Sequence, residues 1–545
     1  RPGHQLSVRL SALRPAVRLA VRHARRRAGQ AANTKLKMMM RTYSFNKGSV
    51  ITFLILLTLS AYPLAVAYSY PYTYLNDDWF ITLTYSKNIA KGNGFVFNHP
   101  PATLGTTTPL FTLLTAAISL IFYKLELSVI ALFLSALCWI SIIWIFFLFK
   151  RTWGLENWQV CIIGLVIIGL SGRQWLGMEA YLFASLLTLT ISLFLSGHYN
   201  LTGFISGLLF LTRGEGFLII PVILTFMFLQ YKNNAIDKEK MLKNSFKILI
   251  SFVIVFSIWF IYAELTFGHF LPNTLNAKVA QGQTNLWSTF FPTLITRWFN
   301  SWGRQFEIIP GINFYKIITL LGFINILIND RKWLIWIAWI MLYIIGYSLL
   351  QVPAYHWYQI PIVFVLNIFF GLGALKIISA LIRLAKVYKY TYFLFSIFIL
   401  AFIWLSVNPE SNLKPIQGDA RGKSYTNLSR WLVENTYPCE SVAYIEIGYL
   451  GYYTNNKIVD LAGLISPDIT PYISQGDFAS GFWKYNPDYY IYLPDFDWAL
   501  SAIRANPRFD REYQPVATLP GPRESDFTIY KRRNPSNCRI NEAQQ

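Results

Sequence analysis

Residues 74–98 read YLNDDWFITLTYSKNIAKGNGFVFN, with the adjacent acids Asp77 and Asp78 following directly on an apolar run, Ser49 to about Tyr68. A run of about 20 such residues is what a helix needs to cross a bilayer. Charges at the edge of the hydrocarbon are costly unless they are solvated, paired or used. Asn76 is a good helix cap, Ile81, Tyr85, Ile89 and Ala90 mark one side of a short amphipathic helix, and Gly92 and Gly94 end it. The acids therefore stand at the N-terminal end of that helix, where its dipole favours their ionised form. A capping role explains one Asp well and two adjacent ones less well.

The rest of the chain is of one kind with its opening span. Of 545 residues, 54% are hydrophobic and 14% charged, with 42 Phe, 33 Tyr and 18 Trp; soluble domains carry about 25% charged residues. Apolar runs near bilayer length recur from Ser49 to about Val407, and the sequence from about Asn408 onward reads as soluble. The expected fold is a polytopic α-helical membrane protein of about 11 transmembrane helices with a small C-terminal α/β domain. In that organisation residues 38–407 are the membrane domain, with external loops 69–125 and 265–309, and 408–545 the soluble domain.

The net charge of +21 is inflated by residues 1–37, an Arg- and Ala-rich tail without an acid, set before a Lys-, Ile-, Asn- and Tyr-rich remainder. A targeting peptide, a nucleic-acid- or lipid-binding arm and translated upstream sequence all fit this tail. The switch from Arg to Lys favours the last, with a native start near Met38 to Met40. No function is placed on the tail, and no nucleic-acid partner is expected. Cys138 and Cys161 lie in apolar runs and read as core; Cys439 and Cys538 share the soluble region and would form a disulfide in an oxidising compartment. The sequence holds no CxxC and no metal-ligand cluster.

Charge sets the topology. Arg41 and Lys47 precede the first span, so its N-terminus is expected in the cytoplasm and the Asp77–Asp78 loop outside. The basic loops YKNNAIDKEKMLK (231–243), NDRK (329–332) and KIISALIRLAKVYK (376–389) then fall in the cytoplasm, between spans at roughly 245–264, 310–328, 333–350, 357–375 and 391–407. In the first half, 105–125 is either a span, leaving Lys150 and Arg151 outside, or an interfacial helix followed by a span at 126–149. The second option obeys the charge rule, and divides 200–231 into two short helices meeting at TRGEG (212–216).

That threading gathers Asp77, Asp78, Glu179, Arg213, Glu215, Lys278 and His356 on one external face. Singly each has an ordinary explanation: Glu179 would pair with Arg173, Gly214 and Gly216 simply break a helix, and His356 between Tyr355 and Trp357 suits an interfacial aromatic belt. Together they suit a lipid substrate with an anionic headgroup, the cations taking the phosphate while a carboxylate removes a proton from the acceptor.

The stretch NDDWFITLTYSKNIAKGNGFVFN resembles the first-loop signature, DDAFI…YARNLAEGHGLVFN, of the branch of GT-C glycosyltransferases that includes the mycobacterial terminal arabinofuranosyltransferases. GTTTPLFTLL, LGMEAYLF, LTRGEGFLIIP, HFLPNTLNAKV and HWYQIPIV follow in matching order, as does LSRWLVENTYPCESVAYIEIGYLGYYTNNKIVDLAGLISPDI in the soluble region. The similarity spans roughly Ser49 to Arg533. It implies a GT-C fold in a bacterial inner membrane, an active site between external loops and bundle, and a polyprenyl-phosphate sugar as donor, transferred with inversion. The acceptor would be an extracytoplasmic glycan, lipid or protein. By the same resemblance Asp77 is the candidate base, with Asp78 supporting the site or holding a divalent metal, and Glu179 is the second acid. Arg213, Lys278 and His356 are candidates for the donor phosphate, and Glu215, Tyr85 and Asn88 for the rest of the substrate pocket. No cofactor is otherwise implied. Trp79 in place of a small residue, Ala180 where Thr is common, and HPP (99–101) depart from the pattern and leave sugar and acceptor open. The rival reading is a lipid-linked sugar flippase or transporter, which would need polar groups along the whole path rather than on one face.

Overall fold

Apolar stripes, caps and glycine contacts account for the architecture of the computed structural model, which describes residues 47–71, 73, 75–98, 102–172, 175–284, 286–294, 312–384 and 419–535. The 1–37 tail, HPP (99–101), Arg173, the expected span at 391–407 and Cys538 lie outside the described residues. Residues 47–55 are the first turns of helix α1 (Lys47–Ser69); Leu56 onward forms one compact unit.

In that unit follow α2 (Asp77–Ala90), α3 (Pro109–Ile121), α4 (Leu127–Leu148), α5 (Asn157–Leu170), α6 (Ala180–Leu195), α7 (Tyr199–Thr212), α8 (Ile219–Lys232), α9 (Lys238–Phe267), α10 (Asn273–Gln283), α11 (Ile312–Asn329), α12 (Leu334–Leu350) and α13 (Ile360–Leu384). Among the described residues six helices are long and apolar enough to cross a membrane, and five apolar helices of 10–17 residues, α3 among them, accompany these. Helix α9 illustrates the local logic. Asp237 caps it by accepting from Lys240 N at 2.7 Å, thirty mostly apolar residues follow, and Gly268 ends it with φ +75°.

The bundle closes where glycines let helices approach. Gly203 and Gly207, four residues apart on α7, face α9: a Cβ on Gly203 would meet the Ile248 carbonyl, and one on Gly207 would stand 2.6 Å from Val255 Cβ. Gly322 on α11 and Gly373 on α13 meet the partner helix's carbonyls in the same way, at Phe369 and Ile318. Small residues spaced four apart are how helices pack when lipid removes the hydrophobic drive.

The C-terminal domain begins with α14 (Gly422–Asn435), an amphipathic helix, and builds a five-stranded sheet in the order β2-β1-β3-β5-β4. Strands β1 (Ser441–Tyr444), β2 (Lys457–Asp460) and β3 (Tyr489–Tyr492) run parallel; β5 (Asp526–Arg532) pairs antiparallel with both β3 and β4 (Tyr513–Pro520). Every residue of β3 is buried, as a central strand covered on both faces requires. Between β1 and β2 lies the short helix α15 (Gly448–Tyr453), which packs on α2: Phe80, fully buried, sits among the rings of Tyr449, Tyr452 and Tyr453 at 4.5, 5.0 and 5.4 Å. The membrane-proximal loop and the sheet domain thus share a core. Cys439 is disulfide-bonded, while Cys138 and Cys161 are buried and not part of a disulfide.

Candidate active site

A cavity of about 570 Å³ opens between the start of α2, the loop at 104–109, the 213–218 break, the start of α10 and the segment from Gly346 to Tyr358. Asp78, Glu179, Arg213, Glu215 and Lys278 line it, with Thr82, Thr106 and Thr274. Its apolar wall includes Phe210, Phe256 and Phe270, whose rings contact one another at 5.4 and 6.2 Å. Phe217, Leu271 and Leu350 belong to the same wall and are 49%, 46% and 42% exposed, so the apolar side continues to the surface.

Asp77 and Asp78 part company. Asn76 caps α2 by accepting from Asp78 N at 3.2 Å, which frees both carboxylates from capping. Asp78 lines the cavity, and among the described residues no side-chain hydrogen bond or ion pair engages its carboxylate. Asp77 is 5% exposed and is not on the cavity wall. Its two oxygens accept from Gly448 N at 3.0 Å and Tyr449 N at 2.9 Å, at the start of α15. Gly448 is obligatory there, because a Cβ would collide with the Asp77 carbonyl. Adjacent residues on a helix point about 100° apart, and of the two acids it is Asp78 that stands on the cavity wall, with Asp77, the expected base, behind it.

Behind Asp77 lies a cluster that sequence reading missed. Arg421 donates to Asp419, with Nη2 at 2.6 Å from Oδ2, and to Glu446, which also accepts from the Tyr425 hydroxyl. Burial pushes the Asp77 carboxyl up to about 6, helped by the charge of Asp78, and pushes Glu446 up to about 8 against the pull of Arg421. An acid whose pKa is raised on folding binds its proton more tightly in the native state, so its contribution is most favourable at low pH and is lost as pH rises through the folded value. The thermal midpoint of the detergent-purified protein should therefore fall as pH rises from about 5 to about 8, and Glu446→Gln should flatten that dependence. A profile that rises over this window would contradict the assignment.

Glu179 pairs with Arg213, Oε1 to Nη1 at 3.1 Å, and Arg213 Nε donates to Glu215 at 2.5 Å. All three side chains are about one-tenth exposed or less. The break that presents them is a 3₁₀ turn, Gly214–Leu218, in which Gly216 folds so closely against the end of α7 that a Cβ would stand 2.6 Å from the Leu209 carbonyl. Trp79, unusual for its position in the loop signature, lies over Gly177, where a Cβ would meet its ring at 2.6 Å. Gly177, at φ +86°, carries the chain into Met178 and Glu179 on the cavity wall. The departure at position 79 thus has a packing partner two residues before a pocket acid.

Lys278 holds its ammonium 4.9 Å from the ring centres of Tyr355 and Trp357 and 5.2 Å from that of Tyr358. Among the described residues no carboxylate lies within ion-pair distance of it. His356 is exposed and does not line the cavity; its neighbours Trp357 and Tyr358 do. Tyr85 and Asn88, expected at the substrate, do not line this cavity. The buried Tyr85 hydroxyl donates to Thr103 O at 2.6 Å and accepts from Gly105 N at 2.8 Å, and Asn88 Nδ2 donates to the carbonyls of Val96 and Phe97 at 2.8 and 3.1 Å. Among the described residues no group of three or more His, Cys, Asp or Glu gathers as a metal site.

Residues 414–530 match the model of a domain of unknown function, DUF8728. No curated protein matches the chain by sequence. In fold the chain is similar to ArnT from Cupriavidus metallidurans bound to undecaprenyl phosphate, with 13% identity and a TM-score of 0.55 over 87% of this chain and 97% of that one. It is likewise similar to the apo state of ArnT, with 14% identity and a TM-score of 0.53 over the same shares. The fold is thus the GT-C-like architecture of ArnT, multi-pass and helical with a small C-terminal sheet domain.

Proposed function

We propose that this chain is an inner-membrane GT-C glycosyltransferase that moves one sugar from a polyprenyl-phosphate donor to an extracytoplasmic glycan, lipid or protein. The observation that carries this reading is one cavity that joins a carboxylate and a cation, Asp78 and Lys278, neither with an ion-pair partner among the described residues, to an apolar wall that reaches the surface. The undecaprenyl phosphate bound by the structurally similar ArnT supports it. The N-terminus is assigned to the cytoplasm and the sheet domain to the outside, on the distribution of basic loops.

In this reading the acceptor hydroxyl attacks the anomeric carbon as the bond from that carbon to the phosphate oxygen breaks. Asp78 takes the hydroxyl proton, and the polyprenyl phosphate leaves with one more negative charge, which Lys278 stabilises. One displacement inverts the anomeric centre. Arg213, already held by two carboxylates, acts by shaping the pocket, and Asp77 by holding α2 against α15.

The test is transfer of radiolabelled sugar by purified protein from a panel of polyprenyl-phosphate donors. The panel should include pentofuranoses together with hexoses, since the sequence leaves the sugar open. Lipid binding without transfer from any donor would favour the flippase reading. For Lys278→Met, loss of one charge-assisted contact, worth about 1.5–3 kcal/mol, predicts roughly ten- to hundredfold weaker binding of undecaprenyl phosphate. Unchanged binding would remove Lys278 from the phosphate site.

A further inference from the structure

Among the described residues lining the cavity, Leu464 alone comes from the C-terminal domain. It sits in a turn, Asp460–Ser466, that is fixed from two sides. From within, the fully buried Asp460 carboxylate accepts from Ala462 N at 2.8 Å and Ile465 N at 3.1 Å, and Ser466 Oγ accepts from Asp460 N at 3.1 Å. From the membrane domain, Asn273 Nδ2 donates to the carbonyls of Gly463 and Leu464 at 2.7 and 3.0 Å, and Gln281 Nε2 donates to Ala462 O at 2.9 Å. Gln281 is buried and uses its other end as well, accepting from the Tyr355 hydroxyl at 2.9 Å. Tyr355 is one of the rings under the Lys278 ammonium, so the turn and the cationic corner share one strut.

Contacts also tie Leu464 to the Asp78 side of the cavity. Gly105 lies so close to the turn that a Cβ would stand 2.5 Å from Ile465 Cγ2 and 3.1 Å from Leu464 O. Its carbonyl accepts from Thr274 Oγ1 at 2.5 Å, and its neighbour Thr106 meets the Thr82 hydroxyl at 3.4 Å. Thr82 is one helical turn beyond Asp78, on the same face of α2. The lipid-side wall at Phe217 and Leu350 is built from other elements of the cavity.

We infer that Leu464 is a specificity-determining residue: its side chain is the wall against which the transferred sugar sits, and the C-terminal domain selects the sugar by holding that wall rigidly. The inference rests on the transferase reading for its substrate. A hydrophobic wall discriminates one methylene group by about 10–200-fold; a pentose and a hexose differ by a hydroxymethyl group, which is larger, so a rigid leucine is sufficient to separate them.

The experiment uses the full chain with Leu464→Ala and Leu464→Phe. It measures affinity for bare undecaprenyl phosphate and for pentosyl- and hexosyl-charged polyprenyl phosphates, and kcat/KM wherever transfer occurs. The ratio between pentosyl- and hexosyl-charged lipid should change by about tenfold or more in at least one variant, with affinity for the bare lipid unchanged. Equal ratios in all three proteins, or bare-lipid affinity moving in step with the rest, would overturn the assignment. So would a wild-type protein that binds charged and bare lipid alike. If the wild type transfers no sugar, the transferase reading fails by itself, and the affinity ratios still decide the role of Leu464.

Discussion

Asp78→Asn should bind donor lipid as the wild type does and lose turnover by about two to four orders of magnitude, the usual cost of removing a general base, equivalent to roughly 3–5 kcal/mol of barrier. The amide fills the same space on the cavity wall and cannot accept a proton. Neither α2 nor its cap depends on the Asp78 carboxylate, since Asn76 provides the cap and Asp78 contributes only its backbone N–H. Asp77→Asn should behave in the opposite way. Asp77 holds two buried amides, from Gly448 and Tyr449, and an asparagine has one oxygen for the two. One buried donor left facing the new NH₂ costs about 1–3 kcal/mol. The thermal midpoint should therefore drop, with turnover at low temperature within about tenfold of wild type. Circular dichroism melts, lipid binding and single-turnover transfer on both variants separate the two acids. A folded, inactive Asp77→Asn beside a normal Asp78→Asn would return the base to Asp77.

The two acids also show what the sequence made legible. Hydropathy and the loop signature marked the polytopic helical fold, and of the residues the charge pattern grouped on one face, Asp78, Glu179, Arg213, Glu215 and Lys278 line one cavity. A motif cannot say which of two neighbouring acids turns inward, because that depends on where α15 lands, some 370 residues further along the chain. Tyr85 and Asn88 carry the same lesson: polar residues inside a motif include those that hold its own loop together. Glu446 and Arg421 drew no notice because nothing local distinguishes a buried carboxylate from a surface one. Gly203 and Gly207 were readable, since two glycines four apart in an apolar run are a helix-packing signal in themselves.

Arg213→Gln tests whether that cation serves the substrate or the scaffold. In the folded protein it is 5% exposed and lies between Glu179 and Glu215, whose side chains are 8% and 11% exposed. Removing one member of a buried ion-pair cluster costs about 3–5 kcal/mol, chiefly because the remaining charges keep their desolvation penalty without a partner. The single variant should thus melt far below the wild type or fail to accumulate. Replacing all three by hydrophobic residues of similar volume (Arg213→Met, Glu179→Leu, Glu215→Leu) removes the charges together, and such a replacement of a whole buried cluster is often close to neutral, so the triple variant should regain much of the lost midpoint. If Arg213 instead bound the donor phosphate and contributed little to the fold, the single variant would keep its midpoint and lose the thermal stabilisation that undecaprenyl phosphate gives the wild type. Melting curves of wild type, single and triple variants, each with and without that lipid, distinguish the two, and the ion-pair geometry favours the first.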